Sequence, residues 1–389
     1  MGLLSSLRIL DFSSLIPGPA ATLMLADMGA DVIRIESPQR PDLMRLFPPF
    51  KDGESCAHTH LNRSKRSLAL NLKTEAGINA VKKLISSYDI LIEQFRPGVM
   101  AKLGLGYEDL KAINPDLIYC SISGYGQTGP YAQRAGHDIN YLAVAGILGH
   151  NGRADSGPMP PTLQLADVAG GSYHAVMSIL AAVINRSTNG GGQHIDVSLM
   201  DTAFNMQVTQ VDDTLNTGRN PGLEAEIFNG GTFYDCYETA DGRHISIASI
   251  EPHFFTRLCE TLGFPELAVH ALTPDPKIQN QLKTKIRETI KSQSYDHWST
   301  VFADIDACVE PVPTLSEALD HPQVKARELV VEVPFKEGKE KQPAFPVKFS
   351  DFTPEYAFGA AGIGEHTRTI LEENGFSEDE ILTIEQSIA

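Results

Sequence analysis

Within Ala135-Gly-His-Asp-Ile-Asn-Tyr141 an imidazole and a carboxylate stand next to each other, preceded by a glycine and followed by the apolar run 142–148. Histidine changes charge near neutrality, so His137 is a candidate proton carrier. Taken alone, a histidine beside an aspartate also suits a surface pair or a helix start. A second carboxylate, Asp167 in Leu165-Ala-Asp-Val-Ala-Gly-Gly-Ser172, opens a segment that runs apolar to residue 184. The dipole and free N–H groups of a helix start are expected to hold Asp167 ionised. The small residues after it are expected to let a ligand approach the backbone closely. A plain N-cap would read the same way.

These residues need a scaffold, and the chain in order supplies one. Residues 7–12 read as a buried strand, followed by a turn through Pro17-Gly-Pro19, a helix over 20–28 stopping at Gly29, and a strand over 31–36. So short a strand-helix-strand unit implies a parallel pair with a right-handed crossover. The glycine fingerprint of dinucleotide binders is absent: Ser13-Ser-Leu-Ile-Pro-Gly-Pro19 stands in its place, which argues against a nicotinamide enzyme. Strands over 67–72, 89–93 and 117–122 alternate with helices over 74–86 and 107–113. The last strand runs into the Gly-rich loop Ser123-Gly-Tyr-Gly-Gln-Thr-Gly-Pro130. This alternation predicts an α/β fold with a Rossmann-like, mostly parallel sheet. Ligands in such folds sit at the carboxyl ends of the strands, where Gln94-Phe-Arg96 and the Gly-rich loop fall.

A long buried helix is expected over 167–184, a strand over 193–197 and a helix over 198–211. The polar stretches 212–229 and 310–325 read as linkers bounding a smaller α+β domain over 230–309. In that domain Ala240-Asp-Gly242 joins a hairpin, and helices follow over 251–262, 279–292 and 295–303. The last helices, 364–374 and 377–386, are expected to pack back on the large domain, composed of 1–211 and 326–389.

A chain of 389 residues with a formal net charge of -17 is a poor match for nucleic acid or an anionic membrane surface. Its five scattered cysteines suggest no disulfide framework, hence a reducing, cytoplasmic setting. Cys56-Ala-His-Thr-His60 is the one local metal-like cluster and lacks a second pair of ligands, so no metal is expected. The start reads as leading directly into a strand, so no signal peptide is expected; nor is a peroxisomal address expected from the end, or an apolar run of membrane-spanning length.

Several markers in order and spacing resemble the class III CoA-transferase superfamily, in particular its α-methylacyl-CoA racemase branch. They are Pro17-Gly-Pro19, Leu25-Ala-Asp-Met-Gly-Ala30, Lys65-Arg-Ser67, Phe95-Arg-Pro-Gly-Val-Met100, Asn114-Pro-Asp-Leu-Ile118, Gly136-His-Asp-Ile-Asn-Tyr141, Leu165-Ala-Asp167 and Ile250-Glu-Pro252. The resemblance covers nearly the whole chain. It implies that His137 and Asp167 are catalytic and that Glu251 holds the histidine. It places CoA against Leu70, Asn71, Leu72, Lys73, Gln94, Arg96 and the loop Gly136, Asp138, Ile139, Asn140, Tyr141. It also implies an intertwined homodimer, an acyl-CoA thioester as substrate, and no cofactor beyond the CoA that the substrate carries. One departure is Ser37, ahead of Pro38, where the family often has an arginine; Arg34 or Arg40 would have to take over that contact.

Racemising a 2-methylacyl thioester requires two acid/bases on opposite faces of the α-carbon. A histidine and a carboxylate satisfy this, with Glu251 fixing the imidazole tautomer and backbone N–H groups after His137 receiving the enolate oxygen. Because the chain is acidic, local cations must meet the CoA phosphates, and Asn62-Arg-Ser-Lys-Arg66 is the richest cluster. The alternative is a CoA-transferase in which Asp167 attacks the acyl-CoA to form an anhydride. A non-catalytic CoA-binding protein is disfavoured by the presence of all three candidate groups.

Overall fold

Six short runs, the inner ones centred on Ile, Leu and Val, form one parallel sheet. The strands are β1 (Arg8–Asp11), β2 (Asp31–Glu36), β3 (Lys65–Ala69), β4 (Ile90–Glu93), β5 (Ile118–Ser123) and β6 (Gln193–Ser198), lying in the order β6-β5-β4-β1-β2-β3. Every neighbouring pair is parallel. Central strands of such a sheet are covered on both faces, and Ile9, Leu10, Ile33, Leu91 and Ile92 are all fully buried, alongside the buried charged groups Asp11, Arg34, Glu36 and Glu93. The computed structural model describes residues 2–271 and 273–388. They divide into two compact units, the first Met1–Ala145, Leu163–Met206 and Lys325–Ala389, the second Gly146–Thr162 and Gln207–Val324.

In the first unit α1 (Pro17–Asp27) follows β1, α2 (Glu75–Ile85) joins β3 to β4, and α3 (Tyr107–Lys111) precedes β5. Leu84, Leu91, Leu110 and Tyr119 share one core with Ile370, Leu371, Ile381 and Ile384, so the C-terminal helices Thr367–Glu373 and Glu378–Ile388 do pack back on the sheet. Pro17-Gly-Pro19 is the first turn of α1, not a turn ahead of it. Proline is tolerated there because the N–H it lacks would have no intrahelical partner. The third strand ends at Ala69, earlier than expected. Asn71 stops it by accepting the Lys73 N–H at 3.1 Å through its side chain and the Thr74 hydroxyl at 2.8 Å through its carbonyl.

The expected long helix after residue 167 is two elements. The Gly-rich loop leads first into α4 (Asp138–Val144); further on, a π-helical segment, Leu165–Ser172, runs directly into α5 (Tyr173–Asn189). Helix α5 is not buried all round: Ala175, Val176, Ile179 and Ala182 face inward, whereas Tyr173, Met177 and Ile184 are exposed. An evenly apolar run carries no periodicity to tell these faces apart. By length and composition alone Leu165–Asn189 would also pass as a membrane span, contrary to expectation, yet it packs on α1 and β5.

The second unit holds an antiparallel sheet of Asp235–Glu238, His244–Ile247 and Val309–Pro311. Helices Pro252–Leu262, Pro276–Lys291 and Tyr295–Phe302 cover it, closing a core of Phe233, Tyr237, Phe255, Leu258 and Trp298. The stretches read as linkers are folded. A helix runs over Val208–Thr217, and beyond it Arg219 bonds Asp213 at 2.6 Å and Glu226 at 2.7 Å. Strand Val309–Pro311 and helix Leu315–Asp320 occupy much of the other. Their polarity reflects ordering by ionic and side-chain-to-backbone bonds in place of burial. The same chemistry draws residues 146–162 into this unit, where Arg153 meets Asp235 at 2.7 Å.

Candidate active site

The loop that carries His137 is shaped by the ring of Tyr141. A Cβ at Gly124 or Gly136 would lie 2.4 or 2.7 Å from that ring, so glycine is required at both places. The Tyr141 hydroxyl donates to the Gly136 carbonyl at 2.5 Å, and Tyr125 packs edge-on against the ring at 5.2 Å. His137 is the last residue before α4. Its N–H donates to Asn140 Oδ1 at 3.0 Å and its carbonyl accepts from the Asn140 N–H at 2.8 Å. The imidazole is thus borne at an exposed helix start whose backbone is held from two sides. Among the loop residues expected to touch CoA, Gly136, Asn140 and buried Tyr141 hold His137 in place, while Ile139 is exposed.

Asp138 ties this loop to the second candidate. Its Oδ1 accepts the Asp167 N–H at 2.9 Å, and it also takes the Ala166 N–H. Asp167, the third residue of the π-helical segment, is partly buried. Burial, together with the nearby charge of Asp138, pushes its carboxyl up to about 7. This reverses the expectation that a helix start would keep Asp167 ionised. The N–H groups that would have done so are given to Asp138, whose own carboxyl burial raises and those bonds lower. The expectation about the small residues after Asp167 changes too. A Cβ on Gly170 would lie 2.7 Å from Thr202 Oγ1, and one on Gly171 2.3 Å from Leu199 Cδ2, so they allow close packing against Leu199–Asn205. The result is a carboxyl poised to give or take a proton near neutrality, one hydrogen bond from the segment carrying an imidazole.

The other expected residues are more dispersed. Glu251 belongs to the second unit, where it is the N-cap residue of Pro252–Leu262 without a side-chain capping bond. Gln94 Oε1 accepts the Gly18 N–H at 3.0 Å, and Arg96 is exposed with no ion pair among the described residues. Leu70 lies in the core with Leu72 packed against it, Asn71 bonds the Ser387 carbonyl at 2.9 Å, and Lys73 is exposed.

The basic cluster 62–66 is a structural one. Arg63 is buried in a two-bond pair with Asp27, at 3.0 and 2.7 Å. Lys65 is buried beside the Pro19 carbonyl at 2.8 Å, and Arg66 pairs with Asp31 at 2.9 Å and with Glu373. Cations packed against carboxylates in this way are spent, because each offsets the cost of the other's burial. Arg34 is equally committed, to Asp42 and to His58 Nε2 at 2.9 Å, and cannot stand in for the arginine missing at Ser37; Arg40 is exposed. Burial and the neighbouring Arg45 and Arg34 push His58 down to about 2. No metal-suited group of His, Cys, Asp and Glu occurs among the described residues. Two features escaped sequence reading: the clamp made by Asp138 and the buried Glu93 at the end of β4. A carboxylate closing an otherwise apolar strand was the available signal for Glu93.

The sequence profile of CoA-transferase family III matches residues 4–367. The chain is 35% identical over 386 residues to mouse "Alpha-methylacyl-CoA racemase", covering 98% of this chain and 96% of the relative. It is also 35% identical over 385 residues to a "Succinate--glutarate CoA-transferase" of Agrobacterium fabrum, covering 95% of each. Among solved structures, a CAIB/BAIF family protein from Brucella suis superposes with a TM-score of 0.83 at 32% identity, covering 96% of this chain and 100% of that one.

Asp138→Asn retains an amide oxygen that can accept the Asp167 N–H and removes the charge. The Asp167 pKa should then fall, moving the acid limb of the kcat/KM profile with an acyl-CoA substrate to lower pH. An acid limb that stays in place or moves up would contradict the electrostatic role of Asp138.

Proposed function

The chain belongs to CoA-transferase family III, and we propose that within it the protein is a racemase interconverting (2R)- and (2S)-2-methylacyl-CoA thioesters. The observation that carries this reading is the Asp167 carboxyl, pushed up to about 7 and tied through Asp138 to the segment bearing His137. One of the two groups takes the α-proton, and the C–H electron pair moves into the thioester to form an enolate. The other group returns a proton to the opposite face. A group with a pKa near the working pH serves as either acid or base, which a two-way racemase requires. Backbone N–H groups after His137 receive the enolate oxygen. Orientation of the imidazole is the part assigned to Glu251. Every proton step is carried by the chain's own side chains, with CoA arriving as part of the substrate and Arg96 meeting its phosphates.

The transferase reading has one observation in its favour, the equal 35% identity to a CoA-transferase. There the Asp167 carboxylate attacks the thioester carbonyl, the C–S bond breaks and CoA leaves as the thiolate, giving an aspartyl-acyl anhydride. A carboxyl that is partly protonated at neutral pH is a weaker nucleophile and a better proton carrier, which supports the racemase. Incubation of a (2R)-2-methylacyl-CoA in deuterated water separates the two. The racemase gives α-deuterium and both epimers, and loss of His137 or Asp167 lowers kcat on the order of 10²–10⁴. An acyl-enzyme trapped at Asp167 by hydroxylamine, with no α-deuterium in the thioester, would overturn it.

The protein acts as an intertwined homodimer in this reading. Support comes from the exposed apolar side of α5, with Tyr173, Met177 and Ile184, a kind of surface that associates with a partner. Light scattering at micromolar concentration should give twice the mass of the chain; a fully active monomer would contradict it.

A further inference from the structure

Glu93, the last residue of β4, is 4% exposed and faces Ser121 of β5 in the parallel register. Its carboxylate reaches forward along the chain, accepting the Phe95 N–H at 2.8 Å, and it also bonds the Ser121 side chain. Ser121 Oγ is 3.0 Å from His194 Nε2 on β6, and the His194 ring stacks on Tyr107 at 5.3 Å. Burial pushes the Glu93 carboxyl up to about 7, the Ser121 and Phe95 bonds pull against this, and Asp196 adds to it. So costly a group is retained in a strand of otherwise apolar residues, and what it holds is the next turn.

That turn is fixed at four points. Phe95 is held by Glu93, Gln94 reaches Gly18 at 3.0 Å, the Arg96 carbonyl accepts the Val99 N–H at 3.1 Å, and the Pro97 carbonyl accepts from Gln133 Nε2 at 2.9 Å. Glu93 and Gln94 point to opposite sides, as successive residues leaving a strand do. Arg96 is the side chain left outward, an unpaired cation at the carboxyl end of a parallel sheet in a chain of net charge -17. We infer that Glu93 is a positioning residue for Arg96: supported by Ser121 and His194, its carboxylate clamps the Phe95 N–H and so presents the guanidinium to a CoA phosphate. The inference rests on the assignment of Arg96 to CoA made above. In its ionised form, which the Phe95 and Ser121 bonds favour, Glu93 makes a charge-assisted bond to the turn.

The test is calorimetric titration of free CoA into the full-length protein and its Glu93→Ala, Glu93→Gln and Arg96→Ala variants, singly and combined. Glu93→Ala should weaken CoA about tenfold, the effect of losing a bond to a charged group. Glu93→Gln keeps an acceptor and should recover most of that loss, remaining two- to threefold weaker than wild type by order of magnitude. In turnover the loss should appear in KM. Neither change should weaken binding further once Arg96 is Ala, because a positioning residue acts only through the group it positions. Equal weakening in both backgrounds, or unchanged affinity in Glu93→Ala, would overturn the inference while leaving the CoA assignment intact. If Arg96→Ala itself binds CoA as tightly as wild type, the assignment of Arg96 falls and the inference with it. Should Glu93→Ala fail to fold, Glu93→Gln in the two backgrounds decides the same question.

Discussion

The hydrogen bond from the Asp167 N–H to the Asp138 carboxylate is the contact on which the candidate site depends. It joins two segments distant in sequence, the loop bearing His137 and the π-helical segment bearing Asp167. It also settles which carboxylate receives the free N–H groups of that segment. Two of them, the N–H groups of Ala166 and Asp167, go to Asp138. Asp167 is left partly buried beside a like charge, and both conditions disfavour its ionised form. Two neighbouring carboxyls are thereby given different tasks, one structural and one suited to proton transfer, by a choice of hydrogen-bond partner.

The wider fold serves this arrangement. The parallel sheet brings the ends of β5 and β6 side by side, and Asp196 of β6 takes the Gln127 N–H of the Gly-rich loop at 2.9 Å. Tyr141 then fills the space that Gly124 and Gly136 leave open, fixing the chain immediately before His137. On the other side the π-helical segment is seated against α1 and Leu199–Asn205 through Gly170, Gly171 and the Ser172 hydroxyl, which donates to the Pro17 carbonyl at 2.7 Å. Departures from regular α-helix towards π geometry are frequent at functional sites.

The strand–helix alternation was legible because the buried parallel strands are short and centred on β-branched and leucine residues bounded by turn signals, so β2 and the hairpin around Gly242 fall where residue patterns place them. His137 and Asp167 were legible as types in a marked context. Partnership was not. Arg63, Lys65 and Arg66 read as a basic surface patch, yet Asp27, Asp11, Asp31 and Glu373, far away in sequence, neutralise them. The protonation of Asp167 was misread for the same reason: local sequence displays the N–H groups of a helix start but not the competing carboxylate from residue 138. Polar stretches such as 212–229 looked like linkers because their order comes from ionic contacts, which leave no hydrophobic period.

The central claim, that Asp167 is a proton carrier held near neutrality by its surroundings, is most directly tested by NMR titration of protein carrying ¹³C-labelled aspartate carboxyls. Comparison with Asp167→Asn assigns the resonance. The account predicts one aspartate carboxyl titrating with a midpoint near 7 that disappears in that variant. An Asp167 resonance titrating in the ordinary carboxylate range, about 4, would contradict it.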